Sequence, residues 1–180
     1  SYPYQAPYNG DITQLYKTLR KITPAPYSCY FKTPDTTLLS SSPERFFQLK
    51  NGHIQARPIK GTTPRGKTQD EDKTLQQNLL QSEKDKAELL MITDLLRNDI
   101  GKIATPNSVN VPELFTLETY SHVSHLVSTI EGDLTQNTSL SETIKALFPG
   151  GSITGAPKYK AIEIINKIES HPRECYTGAI

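Results

Sequence analysis

In "RPIKGTTPRG" (57–66) a lysine stands between an extended run and a glycine-bearing turn. Arg57-Pro58-Ile59 read as the end of a strand and Gly61-Thr62 as the opening of a loop, so Lys60 can be aimed into a pocket as readily as into solvent. An amine there is a nucleophile only when neutral, and the ordinary lysine pKa of about 10.4 is too high for that. Desolvation or a neighbouring cation lowers it. A carboxylic acid that donates a proton needs the opposite shift, supplied by a dry pocket. Glu44 in "SSPERF" (41–46) is the candidate for that role.

Glu88 lies in "DKAELLMITDLLRNDIG" (85–101). On a helical wheel it falls about 40° from Ile92 and about 20° from Leu95, on the apolar stripe. Carboxylates facing a core are paired, hydrogen-bonded or bound to metal. A buried salt bridge, a stripe edge turned to solvent, and one ligand of a hard cation such as Mg²⁺ all remain open. The loop "PGGSITGAPK" (149–158) sets three glycines and two hydroxyls ahead of a helix start. Free N–H groups and the positive helix end would favour an anion there, a carboxylate as well as a phosphate. A plain turn capped by Thr154 fits the same residues, and the order of glycine, lysine and hydroxyl is not that of a P-loop. His125 alternates with Val123 and Val127 on one strand face, where a satisfied core histidine is the commoner outcome than a catalytic one. His122 and Tyr120 read as structural.

Several elements must position these groups. Residues 11–21 have helical spacing behind Asp11 as cap. Strands are expected at 28–32, 36–42, 44–50 and 53–59, with Asn51-Gly52 as a hairpin turn between the last two. Residues 28–60 thus read as one antiparallel sheet, its hairpin bringing Glu44 and Lys60 together. Residues 70–82 read as a mobile connection or short helix. A helix over 85–101, a strand over 120–132, a short helix to Leu147 with a capping box in "SLSE" (139–142) and a helix after Pro157 complete the pattern. Strands and helices in blocks give the class α+β.

Composition narrows the rest. The 180 residues carry 20 Lys and Arg against 19 Asp and Glu, a net charge of +1. That balance disfavours nucleic acid as partner. No apolar run approaches a membrane span. Cys29 and Cys175 have neither metal-ligand spacing nor a disulfide framework, which suits a reducing compartment, the cytoplasm by default. The chain opens on "SYPYQAPYNGD" with no element of its own and stops in the strand-like "CYTGAI", as a piece of a longer protein would.

Five motifs, "SSPERF", "RPIKGTTPRG", "AELLMITDLLRND", "HVSHLVSTIEGDL" and "FPGGSITGAPK", occur in an order that resembles the chorismate-utilising enzymes. These are the large subunits of anthranilate, aminodeoxychorismate and isochorismate or salicylate synthases. "PIKGT" and the glycine loop are most similar to component I of the aminodeoxychorismate branch, whereas anthranilate synthases typically carry alanine where Lys60 stands. The resemblance implies antiparallel sheets flanked by helices within a four-layer α/β/β/α fold, of which residues 1–180 are a catalytic domain lacking its N- and C-terminal parts. It implies amination of chorismate at C4, with ammonia from a glutamine amidotransferase subunit or domain. Lys60 matches the nucleophile, Glu44 the general acid and Glu88 a Mg²⁺ ligand. Gly61, Thr62, His125, Ser152 and Gly155 fall in motifs that line the substrate pocket. Pro26, Tyr27 and Ser28 in "PAPYS" resemble a tryptophan-binding segment. Thr63 departs from the arginine common after "GT". A second metal-binding glutamate and a substrate-binding arginine are expected beyond "TGAI". Anthranilate synthesis and a catalytically incomplete fragment are the competing readings.

Overall fold

Asp11 starts the first helix as its spacing predicts: its carboxylate accepts from the Thr13 N–H, 2.7 Å away, at the head of α1 (Ile12–Ile22). The computed structural model describes residues 1–179, which divide into two compact units, Ser1–Arg45 and a second from Phe46 onward. The first holds α1 and an antiparallel pair, β1 (Tyr27–Lys32) and β2 (Thr37–Ser42), in register from Tyr27↔Ser42 to Lys32↔Thr37. These two strands form their own sheet, so the single sheet expected over 28–60 is in fact two.

The second unit is built on a five-stranded antiparallel sheet. β3 (Gln48–Lys50) and β4 (His53–Ala56) form the expected hairpin, with Asn51 and Gly52 both at positive φ in the turn. Its pairing runs out at Gln48↔Gln55, because Phe46 and Phe47 leave the strand to pack against the core. The hairpin therefore does not carry Glu44 to Lys60, and Glu44 belongs to the first unit. β4 and β5 (Ile59–Pro64) run end to end along one edge of β7 (Val123–Asp133) in a common register, His53↔Asp133 to Ile59↔Val127. β6 (Asn110–Thr119) takes the other edge.

Two helices lie on one face of this sheet. α2 (Gln69–Gln81) occupies the stretch read as a mobile connection or short helix, and is the helix of the two, with Thr68 capping it and Asp70, Glu71 and Asp72 in its first turn, where the helix dipole favours them. α3 (Glu83–Gly101) buries Leu89, Ile92, Thr93, Leu96, Asp99 and Ile100. Ile54, Ala56 and Ile130 of the sheet close one apolar cluster with α3, and Leu126 with Leu79 and Leu89 closes another. The opposite face of β4 and β7 presents Gln55, His125, Thr129 and Glu131, and Arg57, just past β4, joins it through Thr129. α4 (Leu140–Leu147) starts with the capping box on Ser139 and Glu142, and α5 (Gly151–Thr154) and α6 (Lys158–Ile168) follow. The final run is not a strand: residues 174–177 turn, and Ile180 lies outside the described residues. No helix of the described residues is long and apolar enough to cross a membrane.

Candidate active site

Lys60 sits inside β5 rather than at a strand end. Ile59 pairs with Val127 and Thr62 with His125, so Lys60 and Gly61 together oppose Leu126 alone, a β-bulge. The extra residue re-aims the chain. Lys60 Nζ donates to the Ser152 carbonyl, 3.0 Å away in α5, while Thr62 Oγ1 shares a 2.9 Å hydrogen bond with His125 Nδ1. Gly61 takes φ +78°, and a Cβ there would come within 2.8 Å of Leu79 Cδ1 and 2.9 Å of Asp85 Cβ. Both the backbone angle and the close approach of α3 require glycine at this point.

The path of α3 then brings Glu88 into the same neighbourhood. Asp85 touches Gly61, and Glu88 is one turn further on. Ile92 and Leu95, the next positions of that stripe, press on Gly151, whose Cβ would lie 2.3 Å from Leu95 Cδ2. Glu88 thus stands between the β5 bulge and the α5 loop, and the Lys60–Ser152 bond spans the two. Glu88 is not a buried anomaly: its side chain is 45% exposed and pairs with Lys84 at 4.0 Å. The buried stripe is centred on Leu89, Ile92 and Leu96, which leaves Glu88 at its edge. An accessible carboxylate with one distant partner fits a single Mg²⁺ ligand whose other positions go to water and substrate. Among the described residues no three His, Cys, Asp or Glu gather to form a complete protein shell.

The glycine loop differs from a cradle of free amides. Its N–H groups at Ile153 and Thr154 bond to the Gly150 carbonyl and that of Gly155 to Gly151, because the segment closes into the helical turn α5. Thr154 Oγ1 also returns to Gly150, 3.1 Å away, as the plain-turn reading has it. Gly155 ends the turn at φ +104°. What the loop offers Lys60 is a carbonyl.

His125 lies with Thr62 on the other face. Burial lowers its pKa, against the opposing pull of the Glu118 charge. Glu118 itself is held below the usual carboxylate range. Burial works to raise it, but hydrogen bonds from Tyr120 and Arg57 prevail. Arg57 also donates to Thr129 Oγ1 at 3.0 Å and approaches Glu113 at 3.5 Å. Sequence reasoning missed this network; Arg57, one step past a strand with Gln55 on its outward face, was the signal for it. It also missed Asp99, buried in α3 and bound by Lys158 at 2.5 Å. Glu44, in the first unit, accepts through its carbonyl from Ser42 Oγ at 2.9 Å. Pro26 precedes β1 there and Tyr27 and Ser28 open it, the Ser28 hydroxyl turning back to the Ala25 carbonyl at 2.8 Å. Thr63 is buried opposite Ser124.

Comparison with known proteins identifies the family. The family model for chorismate binding enzyme matches residues 1–180. Aminodeoxychorismate synthase component 1 of Salmonella typhimurium is 50% identical over 177 residues, 98% of this chain and 39% of that protein. Anthranilate synthase component 1 of Saccharolobus solfataricus is 44% identical over 177 residues, 98% of this chain and 42% of its own length. The crystal structure of anthranilate synthase component I from Streptococcus pneumoniae superposes with a TM-score of 0.82 at 34% identity, covering 92% of this chain and 36% of that one. The chain spans about two fifths of the length of the curated relatives it matches. With a family model that matches the whole of its length, the chain belongs to the chorismate binding enzyme family.

Proposed function

We propose that this chain supplies the Lys60 side of a site that aminates chorismate at C4, giving 4-amino-4-deoxychorismate for para-aminobenzoate and folate synthesis. The observation that carries the reading is the β5 bulge, which fixes the Lys60 amine on the Ser152 carbonyl beside the Glu88 turn of α3. Relatives named aminodeoxychorismate synthase component 1 support the same branch. In this mechanism the Lys60 amine attacks C2 of chorismate as the C4 hydroxyl departs. Glu44 gives that hydroxyl its proton. Ammonia from a glutamine amidotransferase partner then adds at C4 and expels the lysine. Mg²⁺, when bound, supplies charge that holds the ring carboxylate, with Glu88 as the ligand this chain contributes. Gly61, Ser152 and Gly155 wall the pocket on the α3 side. Thr62 and His125, hydrogen-bonded to each other on the opposite face of the sheet, are assigned to substrate binding by the family motifs that hold them. Pro26, Tyr27 and Ser28 are assigned to tryptophan binding. The activity is placed in the cytoplasm, consistent with free Cys29 and Cys175.

Relatives named anthranilate synthase component 1 keep a second product in view, with ammonia at C2 and pyruvate lost. One experiment decides between the two. The full-length protein is incubated with chorismate, ammonium and Mg²⁺, its products are identified, and intact-protein mass spectrometry searches for an adduct on Lys60. Aminodeoxychorismate and an adduct, both lost in Lys60→Ala, are expected. Anthranilate as product, or undiminished turnover without the amine, overturns the reading.

A further inference from the structure

The loop that receives Lys60 is closed at both ends by one ammonium group. Lys158 Nζ donates to the Leu147 carbonyl at 3.0 Å, where α4 ends, and to Asp99 Oδ2 at 2.5 Å on α3. Residues 148–157 lie between these anchor points, and Ser152 is near their middle. The Asp99 side chain is 2% exposed and that of Lys158 10%, while Lys102 takes the other carboxylate oxygen at 2.8 Å from the solvent side. Halfway along, Gly151 is pressed onto Leu95 and Ile92 of the same helix. α3 therefore grips the loop at its centre through packing and at its ends through charge. Buried ion pairs stabilise a fold little better than apolar residues of the same size, so this pair calls for a role other than stability. A held geometry is the one on offer. A carbonyl that accepts from an amine restricts where the amine's lone pair can point, and misplacing a reacting group by about 1 Å can cost about a hundredfold in rate.

We propose that Lys158 and Asp99 are positioning residues for Lys60, holding the 148–157 loop so that the Ser152 carbonyl meets and orients the amine. The proposal rests on the reading of Lys60 as nucleophile. Neither residue touches the substrate in this role. The test uses the full-length protein with chorismate and ammonium, comparing Lys158→Met, Lys158→Arg, Asp99→Asn, Lys60→Ala and the double variant Lys60→Ala/Lys158→Met. Lys158→Met is expected to lose about a hundredfold in kcat with KM for chorismate changed by less than about threefold. Faster amide exchange should be confined to 148–157, Lys158→Arg should recover most of the rate, and the double variant should be no slower than Lys60→Ala alone. A folded Lys158→Met with wild-type kcat, or losses that multiply in the double variant, overturns the proposal. Lys60→Ala turning over like wild type removes the nucleophile reading and the proposal with it. That result is distinguishable because the exchange measurement still reports the clamp. Should Lys158→Met fail to fold, the isosteric Asp99→Asn carries the same comparisons.

Discussion

Burial lowers the pKa of His125 from its ordinary 6.5, against the pull of the Glu118 charge. The unfolded chain therefore binds a proton there at pH values where the folded chain does not. The stabilisation His125 brings is complete above about 6.5 and is lost as pH falls from there through the folded value. His53 has the opposite sign. A hydrogen bond to Asp133 raises it, so its contribution is complete below about 6.5 and lost as pH rises through the folded value. We expect His125→Gln to narrow the gap between urea midpoints measured at about pH 7.5 and about pH 5.5, and His53→Gln to widen it. An unchanged gap in His125→Gln would show that the shift does not couple to folding. At this scale the sequence was informative about Lys60 and silent about its direction. Residue type and the adjoining glycine mark an unusual amine, but only the register, with Lys60 and Gly61 set against Leu126, shows where it points. Glu88 misled for a related reason. A wheel places it near the apolar stripe, yet the stripe's centre is set by what the sheet presents, and that centre lies on Leu89 and Ile92.

The join between β5 and α2 was the least legible of the elements. Residues 69–81 are polar on nearly every side, with Leu79 alone buried, so periodicity gives no signal. The helix is held from outside instead. Arg65 forks onto both Asp72 oxygens at 2.8 Å, the Gly66 N–H donates to the same carboxylate at 2.9 Å, and the Arg65 bond holds Asp72 below the usual range. β6 was missed because Pro112 interrupts its reading as a strand and two register shifts break its alternation, one of them spanning Phe115 at positive φ. The hairpin and the capping box were legible because each is local chemistry, complete within a few residues. Gly66 gives a test of the external hold. A Cβ there would sit 2.2 Å from the backbone nitrogen of Asp72, which cannot swing aside as a side chain can. Gly66→Ala should cost about 1–3 kcal/mol in chemical denaturation and release the Arg65–Asp72 fork. A midpoint equal to wild type would mean that the loop shifts freely and the latch holds nothing.

Over the whole molecule, the two units differ in how much apolar surface they hide. None of the described residues of the first unit is fully buried, whereas the second closes two apolar clusters that share α3 and β7. Strands 27–32 and 37–42 are joined by a full antiparallel ladder, yet an isolated pair of strands with little burial is marginal in water. The sequence announced the fold class through its blocks of helix and strand. It could not announce this division, since strand-like runs such as "TTLLSSS" look alike whether or not a second layer covers them. Local stability follows burial, so amides of β1 and β2 in the 180-residue chain should exchange orders of magnitude faster than those of β7 between residues 126 and 130. Ile130→Ala, at a site with 0% exposure, should lower the denaturation midpoint by the equivalent of about 2–5 kcal/mol. It should speed exchange throughout β7 and α3 while leaving the rates in β1 and β2 as they were. Acceleration in both units together would show that they unfold as one, and that the first draws its stability from the second's core rather than from its own ladder.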